Sequence, residues 1–172
     1  MSVELRTRRD DDLPALEELA AAVRETDGYP NDDPAFFHSP LMLRAWVVVD
    51  EQGGIVGHGA LHSASASEMM AMASDATGRP VEQLAAVSRM LVAAPARRRG
   101  IGARLLTAAV SEAHARGLWP VLDTGAMFDA AIALYEAHGF QRVGPVSFPY
   151  LHAGETFMTD SLVYVGPRPP GD

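Results

Sequence analysis

The chain has 172 residues, of which 48% are apolar and 21% are charged, and its net charge is −8. This size and composition predict one folded domain, and the absence of Cys excludes thiol catalysis, disulfides and thiolate zinc sites. The negative charge argues against general nucleic-acid binding, which needs a basic surface. No apolar run reaches the ~18 residues of a membrane span, and the charged N-terminal segment is unlike a signal peptide. We therefore expect a soluble, cytoplasmic protein without a nucleic-acid or membrane partner.

The first sixty residues predict a strand, a helix and a hairpin. Residues 3–8 fit a short edge strand, and apolar residues at helical spacing follow until Gly28, which ends the helix. The segment 26–40 is rich in Asp, Asn, Gly and Pro and predicts a loop. Strands at 45–50 and 55–62 flank a turn, so the pair predicts an antiparallel hairpin.

The remainder of the chain alternates strands and helices. Residues 63–80 predict a loop or a short helix, and residues 167–172 a disordered tail after a single domain over 1–166. Strands are predicted at 87–92, 119–122, 140–146 and 156–165, and helices at 101–116 and 129–138. This order predicts a mixed α/β sheet covered by helices.

The strongest chemical signal lies between the strand that ends at Val92 and the helix that starts at Ile101. It contains three consecutive arginines, Arg97, Arg98 and Arg99, followed by Gly100-x-Gly102. Free N–H groups at a helix N-terminus attract anions, and glycines let a phosphate approach the main chain. Without the three Arg charges the net charge of −8 would be −11, so this cationic segment stands out in an acidic chain. The pattern predicts a diphosphate ligand.

The spacing narrows the choice of diphosphate ligand. A nucleoside-triphosphate loop needs a Lys that this chain lacks, and a dinucleotide loop needs a small residue where Leu105 stands. The remaining pattern, Arg97-x-x-Gly100-x-Gly102, resembles the acyl-CoA pyrophosphate loop of the GNAT superfamily of N-acyltransferases. The segment Ala131-Ile-Ala-Leu-Tyr-Glu-Ala-His-Gly-Phe140 resembles the second signature of that superfamily.

This resemblance implies a splayed, mostly antiparallel sheet of about six or seven strands flanked by helices. It implies that acetyl-CoA is the co-substrate, that no metal is needed, and that the backbone of Leu91 and Val92 pairs with pantetheine. The pyrophosphate would be held by the main-chain N–H groups of the loop, which comprises Arg97, Arg98, Arg99, Gly100, Ile101, Gly102 and Ala103. The chain departs from the pattern in the position of Pro95 and in having Phe128 where many members have Asn.

The resemblance also implies direct attack of an amine on the thioester, with Tyr135 as the general acid and the N–H of Val92 as an oxyanion donor. The Glu that many members carry on the strand before the loop is missing here. Of the two histidines on the neighbouring hairpin strand, His62 is our preferred general base because it lies at a strand end; a structural imidazole is the alternative for it. For Tyr135 the alternative is a core aromatic residue.

Three functions remain open at this point. The first is an N-acetyltransferase that acts on an amine-bearing small molecule or peptide, an assignment compatible with a homodimer. The second is a catalytically silent acyl-CoA-binding module, which the missing Glu and Phe128 favour. The third is an interaction protein that binds no CoA. Acetyl-CoA binding separates the third from the others, and amine-dependent CoA release separates the first two.

Overall fold

In the computed structural model, which describes residues 2–152 and 154–171, seven strands form one sheet in the order β1-β2-β3-β4-β5-β7-β6. Adjacent strands are antiparallel in the pairs β1–β2, β2–β3, β5–β7 and β6–β7, whereas β4 and β5 are parallel. The strands are β1 Val3–Thr7, β2 Met42–Asp50, β3 Ile55–Ser63, β4 Leu84–Val92, β5 Trp119–Gly125, β6 Gln141–His152 and β7 Glu155–Val165. The helices are α1 Leu13–Asp27, α2 Glu68–Thr77, α3 Ile101–Ala115 and α4 Asp129–Ala137. The predicted mixed α/β fold with a mostly antiparallel sheet is confirmed.

The chain divides into two compact units. The first comprises residues 1–63 and 87–112, and the second comprises residues 64–86 and 113–172. In the first unit, α1 packs its apolar stripe on β2 and β4 together with two loop aromatics, a cluster formed by Leu16, Leu19, Ala20, Val23, Phe36, Phe37, Val47 and Leu91. In the second unit, α2 packs on residues of β4, β5 and β7, a cluster formed by Met70, Ala73, Leu84, Val121 and Val165. Each unit therefore has its own apolar cluster.

Several elements differ in extent from the sequence-based expectation. Residues 63–80 contain a ten-residue helix, α2, because the Ser67 side chain accepts a hydrogen bond from the Met70 N–H and Gly78 ends the helix at a φ of 67°. Strand β4 begins three residues earlier than predicted, and β6 extends to His152. At the end of the chain, the Pro167 carbonyl lies 2.9 Å from His114 Nε2, and Pro169 is buried. Residues 167–169 are therefore packed on the second unit, while Asp172 lies outside the described residues.

Candidate functional site

The predicted phosphate-binding loop forms the passage from β4 into α3. A short 3-10 helix spans Ala94–Ala96, and the backbone then turns through left-handed conformations at Arg98, with a φ of 61°, and at Gly100, with a φ of 75°. The first bond of the helix is donated by the Arg104 N–H to the Gly100 carbonyl, 3.0 Å away. The N–H groups of residues 101–103 thus form the first turn of α3, where helix geometry provides no intrahelical acceptor. A helix N-terminus preceded by such a turn suits a phosphate group.

The three arginines of the loop are held differently. Arg97 forms an ion pair with Asp27, with the closest nitrogen and oxygen atoms 2.5 Å apart, and its Nε donates to the Val92 carbonyl at 3.2 Å. Its side chain therefore fastens the loop to α1 and to the end of β4. The side chains of Arg98 and Arg99 are exposed. The Arg97 main-chain N–H also donates to the Ala94 carbonyl, 3.3 Å away, so both the side chain and the N–H of this residue are engaged in holding the loop.

Strand β4 pairs with β5 over only three residues, from Leu84 to Ala86. The described β4–β5 residue pairs end at Ala86 and do not include Leu91 and Val92, the residues predicted to pair with pantetheine. The Leu91 side chain is 1% exposed and belongs to the apolar cluster of the first unit. The apolar cluster of the first unit thus anchors this part of β4 through the Leu91 side chain.

Tyr135 lies on α4 in the second unit and is 7% exposed. Its ring packs against Phe140 and Tyr164, with ring centroids 6.0 and 6.4 Å away. Burial, with a smaller contribution from Asp123, raises the pKa of Tyr135 to about 12, so its hydroxyl keeps its proton at neutral pH. Among the residues that the structure describes, no hydrogen bond involves this hydroxyl. The side chain combines a packed ring with a free proton donor.

Asp123 on β5 is a candidate that the sequence analysis did not identify. Its side chain keeps an exposed surface, yet the protein atoms around it displace enough water to raise its pKa, an effect that a hydrogen bond from Ser161 partly opposes. Asp123 also acts electrostatically on Tyr135, so the two groups lie in one electrostatic environment of the second unit. The sequence carries no signal for Asp123 because it sits in an ordinary strand pattern.

His62, the predicted base, is 6% exposed at the end of β3. Its Nδ1 lies 2.7 Å from Ser88 Oγ, and its Nε2 contacts the Arg89 guanidinium. Since a guanidinium can only donate, Nε2 accepts and Nδ1 carries the ring proton. Burial and the charges of Arg89 and Arg8 lower the pKa of His62 to about 4. The imidazole is therefore neutral at neutral pH, with its Nε2 lone pair directed at Arg89.

His58, the other histidine on β3, is fully buried. Its Nδ1–H donates to the Arg89 carbonyl at 2.8 Å, and its ring packs edge-on against Phe37 at 5.0 Å between centroids. Burial lowers the pKa of His58 to about 4. His58 is thus a neutral residue that holds the backbone of β4 at Arg89.

Metal-ligating clusters and membrane-spanning helices are both absent from the part of the chain that the structure describes. No group of three or more His, Asp or Glu side chains there is arranged to hold a metal ion. None of the described helices is long and apolar enough to cross a membrane.

Comparison with known protein families shows to which family the chain belongs. The acetyltransferase (GNAT) domain family matches residues 43–142, which is more than half of the chain and includes the predicted phosphate-binding loop and Tyr135. The chain belongs to the GNAT acetyltransferase family. No curated protein sequence matches it significantly.

Several solved structures have the same fold as this chain. Arabidopsis thaliana NAA60 in complex with acetyl-CoA is 21% identical, with a TM-score of 0.73 and coverage of 95% of this chain and 97% of that chain. The ribosomal-protein-alanine N-acetyltransferase from Brucella melitensis is 24% identical, with a TM-score of 0.70 over 94% of this chain and 98% of that one. An N-acetyltransferase from Staphylococcus aureus Mu50 is 21% identical, with a TM-score of 0.72 over 96% and 98%. This GNAT chain therefore spans almost the full length of these relatives.

Proposed function

We propose that this GNAT protein is an N-acetyltransferase that moves an acetyl group from acetyl-CoA to the amine of a small molecule or peptide. The observation that carries the proposal is the left-handed turn at Arg98 and Gly100, which leads into the first turn of α3. A β-carbon built on Gly100 has no atom within 4 Å, so the loop leaves open space beside its main chain. That geometry suits a pyrophosphate bound by N–H groups of residues 101–103. The acetyl-CoA complex of the NAA60 relative supports this choice of ligand.

The proposed roles of the other site residues rest on the family membership of the chain, and those of Leu91 and Val92 also on the direction of β4. With the pyrophosphate at the loop after Val92, the pantetheine arm would extend back along the strand and pair with the backbone of Leu91 and Val92. The Val92 N–H would then donate to the thioester oxygen as negative charge develops on it. Tyr135, protonated at neutral pH, would donate its proton to the departing thiolate sulfur. The amine forms the new bond to the acetyl carbon directly.

The amine must lose a proton, and two side chains are candidates for the base. His62 is neutral, but its pKa of about 4 makes it a weak base and Arg89 already occupies its acceptor nitrogen. Asp123 is a carboxylate with a raised pKa in the same unit as Tyr135, which favours it as the second candidate. If Asp123 is the base, Asp123→Asn lowers kcat at least 100-fold and His62→Gln lowers it less than tenfold. The opposite ranking would assign the base to His62.

The decisive experiment measures the melting temperature with acetyl-CoA and then CoA release with a panel of amines. A ligand at 100 times its Kd stabilises a protein by about 2.7 kcal/mol, so a clear shift is expected. Because the chain has no Cys, a thiol reagent detects only released CoA. No shift at millimolar acetyl-CoA would exclude the proposed co-substrate. A shift without release by any amine would instead identify a silent acyl-CoA-binding module.

A further inference from the structure

Two half-buried arginines of the first unit, Arg8 and Arg89, have no carboxylate partner among the described residues. The Arg8 guanidinium donates to the Phe37 carbonyl at 3.0 Å, and the Arg89 guanidinium lies 5.5 Å from the centroid of the Phe36 ring and contacts His62. In contrast, Arg6, Arg24, Arg44, Arg97 and Arg142 all form ion pairs. Partial burial of a charge without an ion-pair partner is unfavourable, so the binding of an external anion would stabilise these two guanidinium groups.

The charge around Arg8 and Arg89 is not neutralised by nearby groups. His58 and His62 are the buried titratable neighbours, and both are neutral because burial lowers their pKa values to about 4. The nearest acids, Asp10, Asp12 and Asp33, act on the two arginines only at a distance. Of these, Asp12 is held by two bonds of 2.7 and 2.8 Å from Arg6. The cluster therefore carries positive charge in a chain whose net charge is −8.

The backbone at Arg89 is held in an unfavourable conformation. Its φ of 55° lies in the left-handed region, which is unfavourable for a residue other than glycine. The bond from His58 Nδ1 to the Arg89 carbonyl fixes this conformation, and Phe36 supports the guanidinium from one side. This hydrogen bond and this ring contact together fix the direction of the Arg89 side chain, which carries a positive charge without an ion-pair partner.

The position of Arg89 on β4 relates it to the proposed reaction. Arg89 precedes Leu91 by two residues, about 7 Å along a strand, on the side away from the phosphate-binding loop. With the pyrophosphate at that loop, the acetyl end of the co-substrate would extend toward Arg89. An anion bound by Arg89 would then be part of the acetyl acceptor and would lie close to its amine.

We propose that Arg89 and Arg8 bind a carboxylate of the acceptor, so that the acceptor is an amino acid with its amine and carboxylate on one small molecule. This inference rests on the proposed acetyltransferase function and specifies its substrate class. A polyamine would bring further positive charge to the two arginines, and a peptide N-terminus has an amide where the carboxylate is needed. Neither satisfies the unpaired guanidinium groups.

The test compares matched acceptors with the full-length protein and acetyl-CoA. The panel contains α-, β- and γ-amino acids, each beside its amide, in which only the negative charge is removed. We expect kcat/KM for the best amino acid to exceed that of its amide at least tenfold. Equal or faster CoA release with the amides would overturn this inference and leave the transferase function intact. No release with any amine would overturn both, while the acetyl-CoA thermal shift would still report on co-substrate binding.

Variants test the two arginines directly. Arg89→Gln and Arg8→Gln should each raise KM for the amino acid at least tenfold, while KM for the amide and the acetyl-CoA thermal shift change less than twofold. Arg44→Gln is the matched control, because Arg44 is an exposed arginine paired with Glu112, and it should leave both KM values unchanged. If Arg89→Gln fails to fold, Arg8→Gln and the acceptor pairs decide. An equal rise of KM for amino acid and amide would show a structural role and contradict the proposal.

Discussion

Two tyrosines of the second unit differ in what holds their hydroxyl groups. The Tyr164 hydroxyl donates to Glu136 Oε1 at 2.9 Å and accepts from Arg142 Nε at 3.2 Å. The Tyr135 hydroxyl has no hydrogen bond within the described part of the chain. A side chain that stabilises the fold is expected to have satisfied polar atoms, whereas a proton donor for a substrate must be free for it. This contrast supports the proposed acid role for Tyr135.

We predict that Tyr135→Phe lowers kcat at least tenfold, with small changes in acetyl-CoA affinity and melting temperature. The ring and its contacts with Phe140 and Tyr164 remain, and only the proton donor is lost. Positioned proton transfer is typically worth ~10²- to 10⁴-fold, but a thiolate with a pKa near ~8.5 leaves readily, so the threshold of tenfold is set below that range. Steady-state CoA release and thermal denaturation measure the two effects.

Tyr164→Phe is the control for this prediction. It removes a hydroxyl with two partners in the same unit, so the melting temperature should fall while kcat is retained. The reverse pattern, stability lost in Tyr135→Phe with turnover intact, would make Tyr135 a core residue. The proton would then come from water or from another group.

At the scale of elements, local patterns predicted most of the fold. Apolar spacing and the terminating glycines located α1, α3 and α4, and alternation with a turn at 51–54 located the β2–β3 hairpin. For residues 63–80 the sequence predicts either a loop or a short helix, because the apolar periodicity of this Ser-, Ala- and Met-rich segment is weak. In the structure, Met70 and Ala73 pack on the sheet and stabilise the helix α2, while Ser67 and Gly78 set its two ends.

The predicted site followed from the sequence only where its residues are contiguous. The loop at 97–103 is a single segment whose glycine spacing carries the signal. The cluster around Arg89 instead joins the end of β1, two loop aromatics and strands β3 and β4, and its members are far apart in sequence. A left-handed residue inside a strand also has no signature when that residue is Arg, since glycine is the usual occupant. Tertiary structure was needed to bring these groups together.

The loop between β4 and α3 supports a prediction about its two glycines. Gly102→Val and Gly100→Ala should each weaken acetyl-CoA binding at least tenfold, or ~1.4 kcal/mol, with the fold retained. A β-carbon at either position would intrude on the bound phosphate or strain the turn that presents the N–H groups. Isothermal titration with acetyl-CoA measures the change.

Gly117→Ala provides a control matched in conformation. Gly117 has a φ of 69°, and a β-carbon at this position would have no atom within 4 Å, as at Gly100, but Gly117 follows α3 rather than preceding it. Backbone strain is thus similar in the two Gly→Ala variants, while only Gly100 lies in the proposed loop. Equal acetyl-CoA affinity in Gly100→Ala and Gly117→Ala would refute the assignment of the loop.

For the whole molecule, the buried histidines link stability to pH. A group whose pKa is lower in the folded than in the unfolded state binds more protons when unfolded, so stability falls as pH decreases through that interval. His58 and His62 have folded pKa values of about 4 against an ordinary value of 6.5. Their effect is therefore absent above pH 6.5 and develops between pH 6.5 and 4. Asp12, whose pKa is lowered from 3.8, loses its contribution only below that interval.

We predict that the free energy of unfolding decreases between pH 7 and pH 5 by about 2 kcal/mol for each of these two histidines. Urea denaturation at a series of pH values measures the slope. In His62→Gln the amide oxygen can still accept from Arg89 but cannot titrate, so the decrease from pH 7 to 5 should be smaller than in the wild type. His38→Gln, at an exposed loop position, should leave the slope unchanged. Identical slopes in the wild type and His62→Gln would mean that folding does not lower the pKa of His62, which would contradict this prediction.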